Sequence, residues 1–120
     1  MEVFHLMLDK IFKDTGLNYG SIDALAVTNG PGLKGGLLVG VTAAQTLAWL
    51  LNKPLIGVNH LEGHIYACFL AFQEIPFPLL VLLVSGGHTQ LIEMKAHRHY
   101  RLIAQTRDDA VGEAYDKVAR

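Results

Sequence analysis

The sequence predicts an α/β fold in which a mixed sheet is flanked by helices. Segments with apolar residues at helical spacing alternate with short apolar runs that suit buried strands. Glycine, proline and asparagine separate these segments, as expected of residues that end helices and form turns. This alternation is typical of α/β sheets, and one strand pair joined by a tight turn adds an antiparallel portion.

In the first half of the chain, the spacing predicts a helix over 3–13 and a turn over 18–21. DALAVT is a short apolar run that predicts a strand over 23–28. The next helix is mostly apolar, lacks proline and ends before Asn52 and Pro54. That helix covers 36–51, and a second strand follows over 55–58.

In the second half, Pro76 and Pro78 close a buried helix and LLVLLV predicts a central strand. The SGG turn leads into an alternating segment that suits an antiparallel partner strand. The predicted helices cover 60–72 and 109–120, and the predicted strands cover 79–84, 89–94 and 101–105.

The composition predicts a single domain over residues 1–120, in the cytoplasm and without a membrane segment. The 10 Lys and Arg against 11 Asp and Glu give no overall positive charge for nucleic acid, although Lys95, Arg98, Arg101 and Arg107 leave a local patch open. The single cysteine, Cys68, excludes an internal disulfide and suits a reducing compartment. The longest apolar run, 77–84, is too short to span a bilayer.

NHLEGH, residues 59–64, contains two histidines four positions apart. On a helix His60 and His64 lie one turn apart, so both imidazoles can reach one metal ion. A zinc protease carries its glutamate directly after the first histidine, where this chain has Leu61, and Glu62 points about 200° away from His60. The alternative is a structural or capping histidine pair. Cys68 lies too far along the helix to share the ion, and we expect it in the core.

Two glycine-rich segments follow predicted strands. In VSGGHTQ, residues 84–90, Gly86 and Gly87 allow backbone amides to approach an anion, and Ser85 and His88 offer further hydrogen bonds. An ordinary hairpin turn is the alternative. NGPGLKGG, residues 29–36, is not a P-loop, because its lysine precedes the glycine pair and no Ser or Thr follows. For Gly35, Gly36 and Gly40 we expect a role in helix packing.

The predicted helix over 109–120 carries a polar stripe. Asp109, Glu113, Asp116 and Lys117 recur at spacings of three and four. Such a stripe usually faces solvent, but its like charges also make a ligand-facing role worth considering. Gly112 inside the helix costs about 1 kcal/mol relative to alanine, which makes sense if another group approaches the backbone closely there.

Three segments together resemble one protein family. PLIGVNHLEGHIYA, LLVSGGHTQL and TRDDAVGEAYDKVAR are similar to the tRNA threonylcarbamoyladenosine transferases, once described as O-sialoglycoprotein endopeptidases. NGPGLKGGLLVGV is similar as well. The resemblance implies a partial lobe of the actin-like (ribonuclease H-like) ATPase fold. It also implies transfer of a threonylcarbamoyl group from threonylcarbamoyl-adenylate to N6 of the adenosine beside the anticodon of ANN-reading tRNAs.

The resemblance also implies the site residues and the ligands. One Fe²⁺ or Zn²⁺ per subunit would be bound by His60 and His64. ATP or the acyl-adenylate would be held by five residues of the SGG turn and two of the last helix, namely Val84, Ser85, Gly86, Gly87, His88, Glu113 and Asp116. No general base is obvious, and His88 is the candidate. The expected partners are tRNA, a related actin-like subunit and an accessory ATPase.

Compared with complete members of this family, the chain is expected to be a fragment that lacks the first strands and the second lobe. We expect the fragment to be inactive alone and to self-associate. Two other functions stay open. A metalloprotease is disfavoured by the position of Glu62, and a non-catalytic partner-binding lobe is disfavoured by the histidine pair.

Overall fold

The computed structural model describes residues 3–72 and 74–119, and it contains every predicted helix and strand. The described ends of these elements differ from the predicted ends by no more than two residues, and Arg120 lies outside the described residues. The helices are α1 (Phe4–Thr15), α2 (Lys34–Leu51), α3 (His60–Ala71) and α4 (Val111–Val118), with a short 3-10 helix at Tyr19–Ser21. The strands are β1 (Leu25–Gly30), β2 (Leu55–Asn59), β3 (Leu79–Val84), β4 (Thr89–Ala96) and β5 (His99–Gln105).

The chain divides into two compact units, Met1–His60 and Leu61–Arg120. In the first unit β1 and β2 pair in parallel, from Leu25 opposite Leu55 to Gly30 opposite Asn59. Because a parallel pair requires a long crossover, α2 connects the two strands and packs on them. The carboxyl ends of β1 and β2 therefore lie side by side at one edge of the sheet.

Helix α2 is long and apolar enough to cross a membrane by length and composition alone, with a mean hydropathy of 1.2 over 18 residues. In the structure it packs on β1, where a Cβ on Gly40 would contact the Val27 side chain at 3.7 Å. Leu38, Trp49 and Leu50 of this helix are exposed. The packing on β1 is that of a helix in an α/β layer, as predicted.

In the second unit β3, β4 and β5 form an antiparallel sheet in that order. In the described sheet β3 lies at the edge, so the prediction of a central strand was wrong; its apolar character reflects packing against α3. The alternation along LLVLLV places Leu83 in the core, where it packs with Ile65 of α3 and with Ile92 and Met94 of β4. The outward residues of β3, Leu80, Leu82 and Val84, are exposed.

The predicted mixture of parallel and antiparallel strands is confirmed, and it is distributed over two sheets. The short turns after β3 and β4 force antiparallel pairing between neighbours in sequence, whereas the parallel pair depends on the α2 crossover. That residues 1–120 make up a single partial domain stays a prediction.

Candidate functional site

The SGG turn joins β3 to β4 and is closed by its own hydrogen bonds. The Ser85 amide donates to the His88 carbonyl at 2.8 Å, and the His88 amide donates to Ser85 Oγ at 3.1 Å. Ser85 Oγ also donates to the His88 carbonyl at 3.4 Å. In the described part of the chain, no acceptor is hydrogen bonded to the amides of Gly86 and Gly87. The turn is thus fixed in shape and leaves two donors for a ligand.

Helix α4 begins directly against this turn. The amide of Gly112 donates to the Ser85 carbonyl at 3.3 Å, and the amide of Val111 donates to Thr89 Oγ1 at 2.9 Å. A Cβ on Gly112 would lie 2.8 Å from both the Ser85 oxygen and Gly86 Cα, closer than real Cβ atoms come. The expectation that something approaches the backbone at Gly112 is confirmed, and the approaching group is the SGG turn.

Thr89 acts as a remote cap for α4, and inspection of the sequence missed it. Ala110 occupies the N-cap position and has no side-chain acceptor, so the first helical amides need one from elsewhere. Thr89 Oγ1 supplies one, and its carbonyl accepts from the Thr106 amide at 2.9 Å. No local signal pointed to it, because Asp108 and Asp109, ordinary capping residues, directly precede Ala110 in the sequence.

The polar stripe of the last helix is shorter than predicted. Asp109 precedes α4 and accepts from Lys117 Nζ at 2.5 Å. This hydrogen bond is the main cause of a raised Lys117 pKa. Glu113 and Asp116 lie on α4 and are exposed. The prediction of one helical stripe of four was wrong at Asp109, because the helix starts only where the turn provides acceptors.

His60 stands where two parallel strands end. It directly follows β2, and β1 ends beside it at Gly30, whose φ of 150° favours glycine. In open α/β sheets ligands bind outside the carboxyl ends of the strands. A cavity of about 390 Å³ lies there, lined by Thr28, Pro31, Gly32, Leu33, Gly36, Leu37 and His60.

The three glycines expected to serve helix packing, Gly35, Gly36 and Gly40, differ in their surroundings. Cβ atoms on Gly35 and Gly36 would meet no described atom within 4 Å, so the packing role expected for them was wrong. Gly40 does contact β1, as expected. The physical reason is that Gly35 and Gly36 lie in the open first turn of α2 and Gly40 lies one turn further, over β1.

His60 and His64 are the first and fifth residues of α3, so the predicted helical spacing is confirmed, and both are exposed. His64 lines a cavity of about 190 Å³ with Ile65, Cys68 and residues 81–84 of β3. Cys68 is exposed, so its expected place in the core was wrong, since Ile65 takes the inward position of this helix.

The residues of α3 suit a metal ion only in part. Two imidazoles one turn apart are ordinary ligands for zinc or iron. Among residues 3–72 and 74–119, no group of three His, Cys, Asp or Glu side chains comes together to complete a site. His60 and His64 fit as two ligands, and further ligands would have to come from outside the described residues.

Glu62 lies on a different face of α3 from His60. It is half-buried, and its charge helps to raise the pKa of Tyr100, behind the larger effect of burial and a contact with Tyr66. That position agrees with the helical geometry that separates Glu62 from His60. A glutamate placed there is not available to activate water beside the two histidines.

Fold and site together define an α/β protein of the actin-like class, in which a glycine turn packs against the start of a helix. Two solved structures share the fold. YeaZ from Pseudomonas aeruginosa superposes with a TM-score of 0.61 at 17% identity, over 87% of this chain and 51% of that one. A structure described as an uncharacterized protein with similarity to peptidase YEAZ, from the same organism, gives 0.60 at 17% identity, over 86% of this chain and 48% of its own.

The sequence comparisons name the family. The family model of tRNA N6-adenosine threonylcarbamoyltransferase matches residues 1–120, and the chain belongs to this family. Relatives of that name are 54% identical in Microcystis aeruginosa, 53% in Bacillus subtilis and 55% in Geobacillus kaustophilus. Each match covers 100% of this chain and 34–35% of the relative, so the chain spans about a third of their length.

Proposed function

We propose that this chain is part of an acyltransferase that modifies tRNA. The whole protein would transfer a threonylcarbamoyl group from threonylcarbamoyl-adenylate to N6 of the adenosine next to the anticodon in ANN-reading tRNAs. Family membership over residues 1–120 supports this reaction. The chain alone, at about a third of the relatives' length, would carry only part of the site.

The observation that carries the proposal is the contact of α4 with the SGG turn. It brings two sequence motifs together through Gly112, Ser85 and Gly86. The Val111 amide already donates to Thr89 Oγ1, and the Gly112 amide already donates to the Ser85 carbonyl of the turn. The donors left for an anion are therefore the amides of Gly86 and Gly87.

Each residue of this site would have a distinct role. The amides of Gly86 and Gly87 would hold the phosphate of ATP or of the acyl-adenylate and stabilise charge that develops during transfer. Val84 and Ser85 would fix the turn, and His88 is the candidate general base. Glu113 and Asp116 on the exposed face of α4 would contact the nucleotide.

His60 and His64 would be two of the ligands of an iron or zinc ion. When bound, such an ion supplies Lewis acidity toward carbamoyl or phosphate oxygens. The position of His60 at the carboxyl ends of β1 and β2 supports this role. A metalloprotease function has less support, because Glu62 lies on another face of α3 and influences Tyr100.

The whole protein would act in the cytoplasm with tRNA, with a related actin-like subunit and with an accessory ATPase. The likeness to YeaZ at the level of fold is compatible with a related subunit of this class.

A chimera tests the function. The segment of the Bacillus subtilis relative that aligns with this chain is replaced by residues 1–120, and tRNA from cells lacking their own enzyme is assayed for threonylcarbamoyladenosine by mass spectrometry. We expect modified tRNA with the chimera, and loss of most of it with Gly86→Val. A Cβ on Gly86 meets no described atom within 4 Å, so the first added carbon has room, while the valine branches crowd the amides.

The matched control is Gly63→Ala on α3, where a Cβ also meets no described atom within 4 Å. It should modify tRNA like the parent chimera. A chimera that accumulates normally and leaves tRNA unmodified would contradict the proposal.

A further inference from the structure

The hairpin between β4 and β5 concentrates positive charge in a chain with a net charge of −1. Residues 95–101 read KAHRHYR, with three of the 10 Lys and Arg, two of the six His and no acidic residue. Lys95, Arg98, Arg101 and both histidines are exposed. We call residues 95–101 the basic hairpin.

The tip of the basic hairpin is backbone-strained. Arg98 has a φ of 64°, in the left-handed region that glycine and asparagine favour. An L-residue with a long side chain pays about 1 kcal/mol there. Residues with such strained backbone angles cluster at functional positions, so the arginine at position 98 suggests a binding role for its charge.

Neighbouring side chains hold the basic hairpin in place. The His97 ring stacks on Tyr66 at 5.8 Å between centroids and 13° between planes, and His97 Nδ1 lies 3.2 Å from the Tyr66 hydroxyl. Phe77 contacts the same ring edge-on at 4.8 Å. Arg101 Nε donates to Glu93 at 2.6 Å, which orients this guanidinium. The three cations of the hairpin have two carboxylates near them, Glu93 and the Glu62 whose charge acts on Tyr100, so the local charge is about +1.

A groove of about 510 Å³ runs along the basic hairpin and is lined by Lys95, Arg98, His99, Tyr100 and Arg101. Lysine and arginine bind phosphate oxygens, and the exposed His99 ring beside them can stack on a base. An acidic protein segment would match the charge but would gain little from this ring. A second cavity behind His97 includes Glu74, which gives that side an opposite charge.

We propose that the basic hairpin contacts the phosphate backbone of the tRNA substrate. This rests on the proposed function, which requires a tRNA to be held while one adenosine reacts. The rest of the chain has 7 Lys and Arg against 11 Asp and Glu, a formal net charge of −4, so the contact would be local to the groove of residues 95–101.

The test is the affinity of the 120-residue chain for an unmodified ANN-decoding tRNA transcript, measured by fluorescence anisotropy over a range of KCl concentrations. The variant is Lys95→Ser with Arg98→Gly. Glycine at position 98 relieves the backbone strain, so the fold should be retained or gain stability. We expect at least about 10-fold weaker binding, and a salt dependence that falls by about one unit of slope per lost phosphate contact.

The control removes the same charge elsewhere, with Lys10→Gln and Lys13→Gln on the exposed face of α1. It should bind tRNA like the parent chain. Equal losses in both double variants, unchanged affinity in the hairpin variant, or no tRNA binding by the parent chain would each overturn the proposal. Hairpin-dependent binding of poly-glutamate as tight as that of tRNA would assign the groove to an acidic protein instead.

The outcomes of this test can be distinguished from those of the chimera test of the proposed function. Unchanged tRNA affinity in the hairpin variant, with a chimera that modifies tRNA, would contradict the hairpin contact alone. Hairpin-dependent tRNA binding with an inactive chimera would contradict the proposed function alone.

Discussion

Gly112 lies against Gly86 so closely that a Cβ added to Gly112 would stand 2.8 Å from the Gly86 Cα. The contact joins the start of α4 to the turn between β3 and β4, two segments far apart in sequence. Because the Gly112 amide also donates to the Ser85 carbonyl, the helix and the turn are positioned by each other. The candidate phosphate donors therefore depend on a residue outside the turn.

Gly112→Ala should destabilise the second unit. The backbone atoms of Ser85 and Gly86 cannot move aside as a flexible side chain would, so we expect a cost of about 1–3 kcal/mol, reduced by the roughly 1 kcal/mol that alanine gains in a helix. The measurement is urea denaturation followed by circular dichroism. Gly63→Ala, in open space on α3, should instead stabilise by up to about 1 kcal/mol. Similar gains for both variants would show that the close contact is absent.

Tyr100 should make stability fall at alkaline pH. Burial, then the contact with Tyr66 and the charge of Glu62, raise the Tyr100 pKa above its usual value. The unfolded chain then loses this proton first, at about pH 10, and the free energy of unfolding declines as pH rises beyond that point. Urea denaturation between pH 8 and 11 measures the slope, and Tyr100→Phe should reduce it.

The same variant tests the burial of the hydroxyl. Within the described residues, Tyr100 Oη is buried and lacks a hydrogen bond of ordinary geometry. Removing it should therefore leave stability at neutral pH within about 1 kcal/mol of the parent or above it. Tyr115→Phe on the exposed surface is the matched control and should leave the alkaline slope as it was. A large loss of stability in Tyr100→Phe would reveal a hydrogen bond that matters.

His60 and His64 should bind one metal ion per chain, and weakly. Two imidazoles supply about half the ligands of a structural zinc site, which corresponds to a Kd of about 1–100 µM. Anaerobic titration with Zn²⁺ or Fe²⁺ measures the affinity for the metal ion. His60→Ala and His64→Ala should each weaken this affinity at least about 10-fold. His5→Ala on the exposed surface of α1 is the control. Equal affinity in all four chains would assign the pair a structural role.

The outer face of β3 should cause self-association. Leu80, Leu82 and Val84 are 62%, 66% and 47% exposed, side by side on an edge strand. Apolar patches and unpaired strand edges favour association, so light scattering should show a mass that grows with concentration. Leu82→Thr should reduce it, whereas Leu6→Thr, on exposed α1, should not. A strictly monomeric chain would contradict this expectation.

The elements of the fold were predictable because their signals are local. LLVLLV, the proline-closed helices and the SGG turn each specify an element within a few residues. The capping of α4 by Thr89 was not predictable from a nearby motif, because it joins residues 22 apart. Gly35, Gly36 and Gly40 look alike in sequence, and only packing shows that Gly40 alone meets a strand.

The same limit applies to the candidate site. Spacing was enough to place His60 and His64 on one face of a helix, since they lie about one turn apart. It was not enough to bring α4 to Ser85 and Gly86, which requires tertiary contacts. Gly112 carried the signal that something would approach, without identifying the partner.

Calorimetric titration of the chain with a non-hydrolysable analogue of threonylcarbamoyl-adenylate tests whether the SGG turn binds phosphate. We expect saturable binding of one analogue per chain, weakened about 10- to 100-fold in Gly86→Val, the range expected when hydrogen bonds to a charged group are lost. Equal affinity in both chains, or no binding by the parent chain, would contradict the assignment of the SGG turn as the phosphate site.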